Sequence, residues 1–227
     1  MSLLACHGVH FIRRGTGMAD RPVLAGVTAG FDAGETALIL GPTGAGKTTL
    51  LSVLALLRRP TAGEVHWDGR AVSRWLAPHR DRWRRRVGII FQDARLLGDL
   101  TALENVLLPL IARHPNLAEI RQRGWDALSR MGADHLASEP AGRLSGGERQ
   151  RVAAARALAG EPSIILADEL TAHQDDGGAR IILTALTDAA RSGAAVIIAG
   201  HDPRLLRPPL DHGPRYRMTG GRLEREA

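Results

Sequence analysis

Lys47 is the one lysine among thirty basic residues, and it stands inside Gly41-Pro42-Thr43-Gly44-Ala45-Gly46-Lys47-Thr48-Thr49. If lysine fell at random among the basic positions, it would land on this one about one time in thirty. A compact ammonium reaches into a phosphate cradle better than a planar, forked guanidinium does, and the spacing fits a phosphate-binding loop. Gly41, Gly44 and Gly46 are expected to allow positive φ angles, so that successive amides converge on phosphate oxygens. The amides opening the next helix add the positive end of its dipole. In such a loop Lys47 reaches the β- and γ-phosphates, the Thr48 hydroxyl ligates Mg2+, and Pro42, Thr43, Ala45 and Thr49 complete the cradle. The competing explanation is a chance glycine-rich turn. The order apolar strand, loop, apolar helix favours a site for a nucleoside triphosphate.

A second group of acids lies downstream, in Ile164-Ile165-Leu166-Ala167-Asp168-Glu169. An apolar strand ending in two carboxylates places Asp168 to hold a Mg2+ shell and Glu169 to polarise a water. The same pair could merely end a strand and cap a turn; a phosphate loop upstream in the same sheet favours the catalytic role.

Two periodicities position these residues. Residues 23–31, 35–40, 64–67, 87–91, 164–167 and 194–199 are expected as strands, and the fully apolar runs suit strands covered on both faces. Residues 46–57 are expected as a helix stopped by Arg58-Arg59-Pro60, and 117–131 as another. Thr101 and Glu104 form a capping box opening a helix toward Arg113, with a kink at Pro109. Strands alternating with helices predict an α/β fold with a mostly parallel sheet flanked by helices.

Composition bounds the rest. With 227 residues, 44% of them hydrophobic, the chain can bury a sizeable core. A lone cysteine, Cys6, excludes a disulfide framework and suits a reducing compartment. No signal peptide is expected at the N-terminus, and no apolar run approaches the ~18 residues that span a bilayer. The formal charge of +6 is densest at Arg80, Arg82, Arg84, Arg85 and Arg86. That run suits a solvated helix face or a contact with anionic lipid. Aromatic residues make up 4%, too few for a stacking platform, and no nucleic-acid partner is expected.

Leu144-Ser145-Gly146-Gly147-Glu148-Arg149-Gln150-Arg151, running on to Leu158, resembles the signature sequence of ATP-binding-cassette (ABC) ATPases. Ser145 with Glu148 would also cap an ordinary helix, and that helix start is an anion site in its own right. The resemblance covers nearly the whole chain, from about residue 3 to 223. It implies a single ABC ATPase domain over 1–227, with a P-loop NTPase core and antiparallel β part at about 1–92 and 160–227, and a helical lobe at about 93–159. It implies ATP and Mg2+ as ligands, Gln92 as a Mg2+ and water contact, His201 as a switch residue at the γ-phosphate, and Asp175 in the loop after Glu169. Ser145, Gly146, Gly147 and Glu148 would contact the ATP held by a second copy of the chain. Arg13 occupies the place of the adenine-stacking aromatic, with Phe11 and His10 as alternatives. Leu170 and Gln174 stand where the family usually has proline and leucine.

The resemblance also implies an ATP-sandwich homodimer coupled to an integral membrane permease, at the cytoplasmic face of the inner membrane. Phe91-Gln92-Asp93-Ala94-Arg95-Leu96-Leu97 and residues 101–110 resemble the branch of lipoprotein-release, macrolide-export and cell-division ATPases. The leading expectation is the ATP-hydrolysing subunit of a bacterial ABC transporter. The alternatives are a regulatory module signalling through a membrane protein to the cell envelope, and a soluble family member acting on DNA or ribosomes.

Overall fold

A computed structural model describes residues 2–14, 20–111, 116–210 and 213–226. Among the described residues, ten strands form two sheets. The smaller is antiparallel, in the order β2 (Arg21–Phe31), β1 (Leu4–Arg13), β4 (Ala62–Trp67), β5 (Arg70–Ala71). The larger runs β10 (Arg222–Arg225), β9 (Arg215–Thr219), β3 (Thr36–Leu40), β8 (Ala195–Gly200), β7 (Ile164–Asp168), β6 (Val87–Ile90). Its pairs are parallel except for the terminal β9–β10 hairpin. The same described residues hold six α-helices: α1 (Lys47–Leu54), α2 (Ala77–Arg84), α3 (Ala102–Ile111), α4 (Leu117–Arg130), α5 (Gly146–Leu158) and α6 (Asp176–Arg191).

The larger sheet is covered on both faces, and its strands divide their residues by period two. Ala195, Ile197 and Ala199 of β8 join Leu24, Phe31, Leu50, Leu54 and Trp67 in a core shared with α1 and the smaller sheet. Val196 and Ile198 face the other way, into a core with Val106, Leu128, Val152, Ile182 and Leu186 of α3 to α6. Every residue of β7 and β8 is buried, which is why β8, and β7 up to its terminal Asp168, read as apolar runs.

The α/β class expected from the sequence is the one found, and each expected strand is present. Helix α1 stops at Leu54 instead of running to residue 57, because Leu56 turns to φ +57°. Pro109 lies inside α3, which is described as far as Ile111; Arg113, where that helix was expected to end, lies outside the described residues. The arginine run forms α2 and its exit into β6, with Arg84 paired to Asp81 at 2.6 Å and the Arg86 guanidinium over the Trp83 ring. Strands β1, β5, β9 and β10 and helix α6 were not anticipated individually.

Candidate functional site

The glycine loop joins β3 to α1 and is shaped by what surrounds it. Gly44 and Gly46 adopt φ +81° and +109°, a region open to glycine without strain. Gly41 is different. It does not need a positive φ: a Cβ there would lie 2.3 Å from the Met218 carbonyl, so the position demands close backbone approach. Lys47 is 5% exposed, and its Nζ donates to the carbonyls of Gly41 and Pro42 at 2.7 and 3.2 Å. The same Nζ lies 3.3 Å from Glu169 Oε1.

Parallel pairing brings the acids and the histidine to this loop. Strands β3, β7 and β8 are neighbours, so their carboxyl ends put Gly41, Asp168-Glu169 and His201 at one edge of the sheet. Glu169 sits at φ +48°, a left-handed conformation that costs a non-glycine residue about 1–2 kcal/mol. That twist lets its carboxylate meet both Lys47 and His201 Nδ1, the latter at 2.9 Å.

Asp168 is 4% exposed and its Oδ1 has no hydrogen-bond partner. Burial first and the neighbouring Glu169 charge next push its carboxyl above the usual range, against a hydrogen bond from Thr48 and the charges of Lys47 and Arg95. A buried carboxylate oxygen left unpaired beside a threonine hydroxyl suits a hard divalent cation. Among the described residues no three His, Cys, Asp or Glu side chains gather as a self-sufficient metal cage.

Gln92 follows β6 in an exposed turn. Its loop is held from behind by α5. Gln150 Nε2 donates to Phe91 O at 3.1 Å, and the Arg156 guanidinium donates to the carbonyls of Ala94 and Arg95 at 2.8 and 2.7 Å. Ala94 and Arg95 are consecutive left-handed residues, so Arg156 props a turn that would otherwise be strained. Sequence reasoning named Arg156 only as part of a string; its pull on the distant turn left no local signal.

Ser145 caps α5 in a reciprocal box, accepting from Glu148 N at 3.3 Å while Glu148 Oε2 accepts from Ser145 N at 2.8 Å. One oxygen of the Glu148 carboxylate is therefore engaged on its own helix start. Asp175 caps α6 by accepting from Gly178 N at 2.7 Å. Leu170 is fully buried in the helical-side core. Arg13 is exposed at the end of β1, opposite Arg21. Phe11 is half-buried with the Arg58 guanidinium 5.5 Å from its ring centroid, whereas His10, like Arg13, is exposed.

A phosphate loop, a strand-end acid pair, a capped glycine helix and a strand-end histidine on one mostly parallel sheet define a nucleoside-triphosphatase of the cassette type. The family described as ABC transporter matches residues 24–172, and the chain belongs to it. Over 229 residues it is 40% identical to the lipoprotein-releasing system ATP-binding protein LolD of Chromohalobacter salexigens, covering 99% of this chain and 94% of that one. It is 39% identical over 189 residues to the cell division ATP-binding protein FtsE of Escherichia coli, covering 83% and 85%. Among solved structures, the dimeric post-hydrolysis state of the ATP-binding cassette MJ0796 bound to ADP and Pi superimposes with a TM-score of 0.91 at 32% identity, over 99% of this chain and 97% of that one. The chain is an ABC transporter ATP-binding subunit and an ATPase.

Proposed function

We propose that two copies of this chain sandwich two ATP molecules and drive a membrane permease. The observation that carries this reading is the meeting of Lys47 and His201 on the Glu169 carboxylate, at 3.3 and 2.9 Å, at the edge of the sheet, while the start of α5 packs on His173 and Gln174. Each ATP would lie between the Gly41–Thr49 loop of one protomer and the Ser145-Gly146-Gly147 start of α5 in the other. Core and lobe divide at about residues 93 and 159.

Within the site, Lys47 neutralises the β- and γ-phosphates. Glu169 accepts a proton from the attacking water, and His201, oriented through Nδ1 by Glu169, presents Nε2 to the γ-phosphate. Thr48, Asp168 and Gln92 would hold Mg2+, which when bound offsets charge on the phosphate oxygens. Arg13 would pack on the base through its guanidinium plane. The helix start at Ser145 supplies amides to the γ-phosphate across the interface. Among the described residues no helix is long and apolar enough to cross a membrane, so attachment to the inner membrane's cytoplasmic face would run through the permease. Similarity to proteins named for lipoprotein release and cell division supports that assignment.

The test compares Mg2+-dependent ATPase activity and light scattering of the parent and Glu169→Gln. Turnover in the parent, with an ATP-dependent dimer accumulating in the variant, is expected. A variant that stays monomeric in ATP would refute the sandwich.

A further inference from the structure

Gln174 sits where the loop after Glu169 meets the first turn of α5. Its side chain is 9% exposed, and Nε2 donates to the Gly147 carbonyl at 2.7 Å. The two segments are in close approach along this seam: a Cβ on Gly147 would lie 2.9 Å from His173 O, and one on Gly146 would touch the His173 ring. The glycines that expose the α5 amides are thus also the ones that admit this loop.

The other side of Gln174 is anchored just as firmly. Its carbonyl accepts from Arg204 Nη1 at 2.9 Å, and Arg204 Nη2 donates to Thr171 O at 2.8 Å. Arg204 Nε donates to Asp202 Oδ2 at 2.9 Å, and Thr171 Oγ1 donates to the same oxygen at 2.6 Å. Burial pushes the Asp202 carboxyl upward, but the hydrogen bonds from Arg204 and Thr171 outweigh it and hold the group at about 2. Asp202 adjoins His201, and Thr171 stands two residues after Glu169. A continuous set of bonds therefore runs from the start of α5, through Gln174, to the loops that carry the catalytic base and the switch histidine.

We propose that Gln174 is a positioning residue that locks the start of α5 to the loops bearing Glu169 and His201, so that each protomer moves both surfaces as one body. The proposal rests on the sandwich reading, in which those surfaces serve different nucleotides. A leucine at this position could fill the space but could not donate to Gly147 O. With the bond in place, a shift of the loop at one nucleotide is carried to the amides at the other; without it, the two sites respond more independently.

The test uses the full chain with Gln174→Met, which keeps the side-chain length and removes the donor, and Gln174→Leu as a second variant should methionine not fold. Steady-state ATPase against ATP concentration, affinity for a fluorescent ATP analogue and Tm are measured in each. The expected result is a fall in kcat of about three- to tenfold, the span of one lost hydrogen bond, with a Hill coefficient moving toward one and analogue affinity within about twofold of the parent. Unchanged kcat and Hill coefficient in a folded variant overturn the proposal. So does a loss of analogue affinity in step with kcat and Tm, which marks a packing defect. Glu169→Gln separates the two levels. If it forms an ATP-dependent dimer while the Gln174 variants behave as the parent, only the role of Gln174 falls. If it stays monomeric in ATP, the sandwich and the coupling fall together.

Discussion

Lys47 Nζ is clasped by two loop carbonyls and the Glu169 carboxylate within 3.3 Å, in a slot that leaves the residue 5% exposed. A guanidinium is larger and planar, and cannot enter that slot as a point charge. Lys47→Arg is therefore expected to weaken binding of a fluorescent ATP analogue by at least about tenfold, close to the loss in Lys47→Ala, although the charge is kept. Retained affinity in the arginine variant would refute the steric argument. Cys6 tells the opposite story about what a lone residue means. It lies fully buried in β1, and burial pushes its thiol to about 11 over a small opposing pull from the Ala29 backbone. Native protein is expected to react with Ellman's reagent at pH 8 at least about a hundredfold more slowly than protein in guanidinium, because the thiolate is scarce as well as hidden. The raised pKa also sets a sign for stability: the contribution of the protonated thiol is complete below about 9 and is lost as pH rises through about 11. Both lone residues stood out in the sequence. Lys47 did so through its glycine-rich context, whereas the bond from Gln150 to the turn after β6 had nothing local to announce it.

Elements were legible where one local rule dominated. Strand β8, and β7 up to its terminal Asp168, are apolar because both faces are covered, and the capping boxes at Thr101 and Ser145 form as their spacing implies. Strand β1 was harder, because three register shifts against β2 break its alternation. The β9–β10 hairpin did carry a signal: Tyr216 and Met218 are buried in alternation with half-buried Arg215 and exposed Arg217 and Thr219, and Gly220-Gly221 turns the chain. Its arginines masked that pattern. The cap at α5 has a measurable share in stability apart from any contact with nucleotide. Glu148→Ala removes half of the reciprocal box, which is expected to lower Tm by about 2–4 °C for roughly 1 kcal/mol. Affinity of the monomer for the ATP analogue should stay unchanged, since Glu148 is bonded to Ser145 and lies in a different helix from Lys47. A collapse of analogue affinity in this variant would show that the α5 start acts on the protomer's own loop.

At the scale of the molecule, the sheet order gathers Gly41, Asp168, Glu169 and His201 at one edge, while Gly146 and Gly147 pack on His173 and Gln174. In the sandwich reading these two groups serve different nucleotides, and ATP should report this through linkage. Any ligand that binds only the folded state raises stability by about 2.7 kcal/mol at a hundredfold excess over Kd, worth about 5–10 °C in a chain of this size. For a site complete within one protomer, that shift is independent of protein concentration. For a site finished by a second copy, dissociation is coupled to unfolding, and Tm rises with protein concentration as well. Differential scanning of Glu169→Gln in saturating ATP, across a hundredfold range of protein, is expected to show the second behaviour, and the same variant without ATP the first. Lys47→Ala should show neither shift. A Tm in ATP that does not move with protein concentration would mean that each protomer closes its own site, and the α5 amides would then need another role.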